Sequence, residues 1–215
     1  MGVVQARPVS PSALVDHLTA LILERVAATP DARLRVAVDG APSARPGELA
    51  DALVAPLRAA GRPAVRVRAD DFLRPASLRF ELGRRDADAY YADRLDRAAL
   101  EREVLDPFGS AGAAEYLPTL WDAERDRATR ARYEPVPAGG VLVLDGSLLL
   151  GRWLELDLTI HLAQRLDSVE RRTPEEDRWT LPAFARYAEE VGPELVADVV
   201  VRVDDPRHPA LVLPD

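Results

Sequence analysis

The stretch Leu34-Arg35-Val36-Ala37-Val38-Asp39-Gly40-Ala41-Pro42-Ser43-Ala44-Arg45-Pro46-Gly47-Glu48-Leu49-Ala50 constrains this chain more than any other. Residues 34–38 are apolar apart from Arg35 and read as a buried strand. A tight turn opens at Gly40, and the residues from Pro46 onward read as the first turn of a helix. Strand, turn and helix in that order make the frame of a phosphate-binding loop. Such a loop carries G-x-x-x-x-G-K-[ST], so that backbone N–H groups and a Lys surround the phosphates. Counted from Gly40, the second Gly position holds Arg45, the Lys position Pro46 and the Ser/Thr position Gly47.

Each replacement has a physical meaning. An Arg side chain at the second Gly position crowds the backbone that would wrap the phosphates. Pro46 has neither a charge nor an N–H to point at an anion. Gly47 has no hydroxyl to hold Mg²⁺, and Glu48 suits a helix N-terminus but repels a triphosphate. Charge-assisted bonds are worth roughly 1.5–3 kcal/mol each, so losing two or three costs about two to four decades of ATP affinity. Pro at the first helical position followed by Glu is equally an ordinary helix start. Arg45 could stand in for the Lys, although it sits one position early.

A chain of 215 residues, 47% of them hydrophobic, can bury one sizeable core with a small lid. All 28 basic residues are Arg, so no other segment supplies a phosphate-loop Lys. The Arg-, Ala-, Val- and Pro-rich composition matches a high-GC coding bias, so the absence of Lys is not itself functional. The formal charge of −8 with no basic run points away from nucleic acid. With no cysteine, disulfides, thiolate catalysis and Cys-based zinc sites are excluded. The apolar runs are too short for a membrane span and the N-terminus lacks a signal-peptide pattern, so a cytoplasmic protein with no membrane partner is expected.

Ser10-Pro11 followed by Leu14, Leu18, Leu21, Ile22 and Val26 predicts an amphipathic helix ended by Thr29-Pro30, so residues 1–30 read as an N-terminal helix on or beside a core unit spanning 31–215. A helix over 47–60, stopped by Gly61, leads to a second strand at 64–68, whose alternation of Val65 and Val67 with Arg66 and Arg68 suits a position near the sheet edge. Residues 76–95 are charged and irregular, with Tyr90 and Tyr91 in a short helix. Asp96 N-caps a helix over 97–105, closed by Asp106-Pro107. A strand at 116–121 and a return at 132–134 make a hairpin. Further strands fall at 141–146, 157–162 and 197–203, with helices at 167–172 and 182–191 between the last two. Alternating strand and helix of this kind implies a parallel sheet of about five strands flanked by helices, an α/β fold.

In such a sheet ligands sit outside the carboxyl ends of the strands. Three of those ends carry acids: Asp39, Asp70 with Asp71, and Asp145. Asp39 also serves simply as a turn former. Asp70 or Asp71 could accept a proton from a substrate hydroxyl, and Asp145 could orient Mg²⁺ through water. Arg74, Arg79, Arg84, Arg85, Arg165, Arg171, Arg172 and Arg178 supply candidate phosphate contacts. His161, inside an apolar strand, reads as a satisfied core residue. No His pair has metal spacing and no G-x-S-x-G elbow occurs.

The blocks Val36-Ala-Val-Asp-Gly40, Arg68-Ala-Asp-Asp-Phe72, Asp88-Ala-Asp-Ala-Tyr-Tyr91, 100–107, Val141-Leu-Val-Leu-Asp-Gly146 and 157–162 come in an order that resembles the uridine kinase-like P-loop nucleoside kinases, the phosphoribulokinase/uridine kinase type. The resemblance covers roughly residues 30–205. It implies a P-loop NTPase fold with a small lid near 163–182 and a hairpin, and ATP with Mg²⁺ as cofactors if the chain is active. It implies Asp70 or Asp71 as the base toward an acceptor hydroxyl. The matching positions make Phe72, Arg74, Tyr90 and Tyr116 acceptor contacts, and Arg165, Arg171 and Arg172 lid residues. Gly40, Ser43, Ala44, Arg45, Pro46 and Gly47 form the phosphate loop.

Phosphoryl transfer works by positioning and charge neutralisation around the phosphates, and the departures fall on that machinery. Three readings follow. The chain is a pseudo-kinase that binds a nucleoside, a nucleotide or a partner. Alternatively it is a working kinase that uses Arg45 or a lid Arg, with Asp145 recruiting Mg²⁺. In the third it is a structural or regulatory subunit, with a homodimer among its expected assemblies.

Overall fold

The computed structural model describes residues 6–27 and 32–213 and is built on a seven-stranded sheet. In chain order the strands are β1 (Ala6–Pro8), β2 (Leu34–Gly40), β3 (Ala64–Arg68), β4 (Glu115–Tyr116), β5 (Trp121–Asp122), β6 (Arg127–Ala128), β7 (Glu134–Pro135), β8 (Val141–Gly146), β9 (Leu158–Ala163), β10 (Val199–Arg202) and β11 (Ala210–Val212). The spatial order is β1-β11-β10-β9-β2-β8-β3. The five strands from β10 to β3 are parallel, as the alternation of elements predicts. β11 and β1 extend the sheet antiparallel beyond β10. Ala6-Arg7-Pro8 is exposed throughout and carries no period-two pattern, which is why β1 has no sequence signature.

The central strands are buried on both faces, and their side chains alternate between two layers. Val141 and Val143 of β8 face a cluster with α1 (Pro11–Ala27) and α2 (Pro46–Ala59), whereas Leu142 and Leu144 face Phe72, Leu100, Leu105 and Phe108. α1 contributes Leu14, Leu18, Ile22 and Val26, the helical stripe expected of it, while His17 is exposed. Its expected stop at Thr29-Pro30 lies outside the described residues. α2 ends one residue earlier than expected, and Gly61 follows in the left-handed conformation at φ 80°.

Two local expectations are corrected. The helix begun at Arg97 does not close at Asp106-Pro107. It passes through a wide turn at Glu101–Leu105 and continues over Asp106–Gly109. Pro107 cannot donate to the preceding turn, and the Glu103 carbonyl instead accepts the Leu117 N–H at 2.9 Å. The single hairpin expected over 116–134 is two nested ones, β4 with β7 and β5 with β6. Two-residue strands are too short to show a period. Among the described residues no helix is long and apolar enough to cross a membrane.

Candidate functional site

β2 runs into the loop at Gly40, where an added Cβ would stand 3.0 Å from that of Leu162. The chain then makes a tight turn at Pro42–Ala44. The Ala44 and Arg45 N–H groups are spent inside this turn, on the carbonyls of Ala41 (2.8 Å) and Pro42 (3.0 Å). Pro42 and Pro46 have no N–H at all, so these four residues offer a ligand no backbone amide. Arg45 adopts φ 59°, ψ 53°, the left-handed conformation at the position where the motif has its second Gly. Its guanidinium lies 3.3 Å from Glu48, and the Ser43 hydroxyl donates to the side-chain oxygen of Gln164 at 2.7 Å.

Asp145, at the end of β8, is not open to solvent. Arg66, from the neighbouring strand β3, donates Nε to Oδ1 at 2.6 Å and Nη2 to Oδ2 at 3.0 Å. The third nitrogen of the same guanidinium lies 2.7 Å from Asp51 of α2. These carboxylates raise the pKa of Arg66, so it stays charged. The ion pair stands directly against the helix start. A Cβ on Gly47 would come within 2.6 Å of Arg66 Nη2 and 3.1 Å of Asp145 Oδ2. Asp71 lies near the same charges, with Arg68 Nη1 3.9 Å away, and its carboxyl pKa is raised, first of all by burial. Among the described residues no group of three or more His, Asp or Glu is placed to hold a metal ion.

On the other side of the loop is a cleft of about 610 Å³. It is bounded by Pro42, Ser43 and Arg45 of the loop, by Tyr90 and Arg94, and by Arg172, Trp179 and Phe184 from the segment after β9. Tyr90 meets Trp179 edge to face at 5.4 Å and Phe184 at 6.2 Å. Arg94 lies over the Tyr90 ring at 4.7 Å and donates to its hydroxyl at 3.0 Å. It also donates to Asp70 Oδ1 at 2.6 Å. Asp70 and Asp71, adjacent in sequence, have different partners: Asp70 joins the cleft through Arg94, and Asp71 lies 3.9 Å from Arg68. Burial raises the Tyr90 pKa, so its hydroxyl stays protonated and hydrogen-bonding at neutral pH.

The remaining sequence candidates separate sharply. Arg172, with its guanidinium also 3.7 Å from Asp205, lines the cleft. Arg165 pairs with Asp204 at 3.2 Å and Arg171 with Asp167 at 2.9 Å, both away from it. Arg74 turns outward to Asp93 at 3.4 Å. Phe72 is fully buried beneath the sheet and cannot touch an acceptor in this conformation. Tyr116 is buried against Phe108 and donates to Glu134 at 3.0 Å, and burial and Glu134 push its pKa up to about 12. Both aromatics pack the second core layer, contrary to the contact role that the resemblance implies. Arg66, Arg94, Trp179 and Phe184 have no motif of their own; only the aromatic and Arg content of the segments hints at them.

Asp39 is more than a turn former. It is fully buried and accepts from Leu149 N–H at 2.9 Å, from His161 Nδ1 at 2.7 Å and from the Tyr187 hydroxyl at 3.0 Å. Tyr187 in turn accepts the Leu150 N–H at 3.0 Å. This hub ties β2, β9, the loop after β8 and the Leu181–Glu190 helix into one body beneath the loop.

A parallel sheet whose first parallel strand feeds a tight loop and then a helix, with acids at the ends of the neighbouring strands, is the fold of the P-loop kinases of the uridine kinase and phosphoribulokinase type. A structure described as a possible uridine kinase from Bacillus stearothermophilus superposes with a TM-score of 0.65, at 20% identity over 86% of this chain and 96% of its own. D-glycerate 3-kinase from Cryptococcus neoformans gives 0.64 at 14% identity, covering 89% and 95% of the two chains. Phosphoribulokinase from Rhodobacter spheroides gives 0.51 at 14% identity, covering 81% and 71%. At these identities the likeness is one of fold. No family model and no curated protein matches the chain.

Proposed function

We propose that this chain binds a nucleoside or nucleotide in the cleft of Tyr90, Arg94 and Trp179, and transfers phosphoryl groups from ATP weakly or not at all. The observation that carries the second half is the Arg66–Asp145 pair against Gly47. P-loop enzymes hold Mg²⁺ between the loop Ser/Thr and a strand-end Asp. Here the Ser/Thr position is Gly47, the Asp is gripped by a guanidinium, and Pro46 stands where the Lys would be. These residues do not fit a magnesium triphosphate. Arg66 places one fixed positive charge where the ion would bring two.

The cleft supports the first half. Arg94 and Arg172 supply charge for an anionic group, and Trp179 and Tyr90 supply aromatic surface for a base. Asp70 and the Tyr90 hydroxyl hold the Arg94 fork in place before a ligand arrives, which lowers the ordering cost of binding. Calorimetric titration with ATP, with and without Mg²⁺, tests the proposal alongside titration with uridine and UMP. Micromolar or tighter UMP binding, with ATP at millimolar or weaker in both buffers, is the expected result. Micromolar ATP binding that tightens with Mg²⁺ would overturn it.

One observation favours a working kinase for an alcohol acceptor: Asp71 at the end of β3 has a carboxyl whose pKa burial raises toward the range of a general base. That reading requires Mg²⁺-dependent turnover that disappears in Asp71→Asn.

A further inference from the structure

Beside the hairpin of β5 and β6 lies a concavity of about 500 Å³ that shares no residue with the cleft described above. Its walls are Asp122, Arg125, Arg127, Ala128, Thr129 and Arg130. Three guanidinium side chains thus surround one space on a chain whose net charge is −8. The frame that carries them is tied down at both ends. Asp126, at φ 47°, accepts from the Ala76 N–H at 2.7 Å and from Trp121 Nε1 at 3.1 Å, which fastens the hairpin tip to the body. Thr129 donates its N–H to the Leu120 carbonyl at 2.9 Å and its hydroxyl to the Thr119 carbonyl at 2.7 Å.

Asp122 is the one carboxylate in that wall, and its own turn consumes it. It accepts the Glu124 and Arg125 N–H groups at 3.1 and 3.0 Å, and Arg125 Nη1 at 2.8 Å. Arg127 stands opposite Asp122 in the strand register, yet its guanidinium makes no hydrogen bond, ion pair or ring contact among the described residues. Neither does that of Arg130, and both residues are exposed. Two positive charges in the wall therefore go uncompensated. Arg130 also takes φ 54°, where a residue with a Cβ is strained and glycine is not. The chain thus holds a guanidinium at a backbone position that favours no side chain.

We propose that this concavity is an anion site for a soluble di- or triphosphate group, with Arg127 and Arg130 as its charged contacts. A guanidinium stays charged across the physiological range and meets phosphate oxygens two at a time. Two uncompensated guanidiniums match an anion of two or more negative charges. The wall carries no aromatic side chain on which a base could stack, so the phosphates are the part recognised. The site does not depend on whether the cleft beside the loop binds nucleotides or transfers phosphate.

The three tryptophans divide the molecule between them: Trp121 belongs to the hairpin, Trp179 to the cleft, and Trp153 lies in neither. Their indole N–H signals in ¹H–¹⁵N spectra, assigned with single Trp→Phe variants, therefore locate a bound anion. The probe is inorganic tripolyphosphate, compared with inorganic orthophosphate and with an oligothymidylate. Tripolyphosphate should move the Trp121 signal saturably and leave Trp153 in place, and orthophosphate should bind at least about tenfold more weakly. Arg127→Gln with Arg130→Gly should weaken tripolyphosphate about 10–100-fold in calorimetry without lowering Tm, because glycine accepts the backbone angle at 130. An unmoved Trp121 signal at millimolar tripolyphosphate, a shift of Trp179 alone, or unchanged affinity in the double variant would each overturn the assignment. Tighter binding of the oligothymidylate than of tripolyphosphate would also overturn it, in favour of a nucleic-acid surface.

Discussion

Arg66 and Asp145 meet edge to edge, two nitrogens on two oxygens at 2.6 and 3.0 Å, in the space that a side chain on residue 47 would occupy. Glycine at 47 and arginine at 66 are thus two halves of one arrangement. Rebuilding the loop motif with Arg45→Gly, Pro46→Lys and Gly47→Thr is therefore expected to leave ATP affinity unchanged, because the new threonine meets the guanidinium. Adding Arg66→Ala to those three should raise affinity tenfold or more in Mg²⁺ buffer. Calorimetry on the triple and quadruple variants separates the cases, and a full gain in the triple variant would show that Arg66 blocks nothing.

Arg66→Ala alone should be costly for stability. It leaves the carboxylate of Asp145, whose side chain is 8% exposed, without its partner. Removing one member of a buried pair costs about 3–5 kcal/mol, and the partial exposure of Arg66 brings the expectation down to about 2–3 kcal/mol. For a chain of this size that is roughly 4–12 °C in Tm. Arg66→Ala with Asp145→Leu should recover most of the loss in thermal melts, since neither charge then remains buried.

Asp71 should respond oppositely. A carboxyl whose pKa is higher folded than unfolded binds its proton more tightly in the native state. Its contribution to stability therefore falls as pH rises from the ordinary carboxylate range through the folded pKa. Asp71→Asn is expected to raise Tm at neutral pH, and the gain should vanish at pH values below the ordinary carboxylate range. A gain that persists there would trace to packing rather than ionisation.

In the cleft, Arg94→Ala removes a charged fork that lies between Tyr90 and Asp70, and UMP affinity should fall about 10–100-fold. Fluorescence of Trp179, which lines the cleft, follows the titration, and Trp179→Phe identifies the signal among the three tryptophans. Phe72→Leu should lower stability modestly and leave UMP affinity unchanged, because that ring lies in the core.

The five parallel strands are legible as short runs bounded by turn residues, mainly apolar with β3 alternating valine and arginine, and the acids at 39, 70, 71 and 145 follow from where those strands end. Partnership was not legible. Arg66 is one of 28 arginines, and nothing local says that it reaches Asp145, 79 residues on, rather than solvent. Arg94 and Trp179 are likewise joined only by folding, across segments that each read as charged and irregular. Asp39 was ambiguous because Asp-Gly is also the commonest of turns; its burial depends on Tyr187 and His161, 148 and 122 residues away. Phe72 and Tyr116 mislead for the opposite reason, since an aromatic beside a strand end fits a core as well as a pocket.

The described borders of the sheet disfavour one route of self-association. β3 at one border alternates valine with Arg66 and Arg68, and the described part of β1 at the other, Ala6–Pro8, ends in Pro8. A guanidinium row and a residue without an N–H are both poor templates for an incoming strand. Joining two copies through β3 would set Arg66 and Arg68 against the incoming strand, whereas an assembly that presses helices or loops together leaves the described backbone ladder of each copy finished within itself.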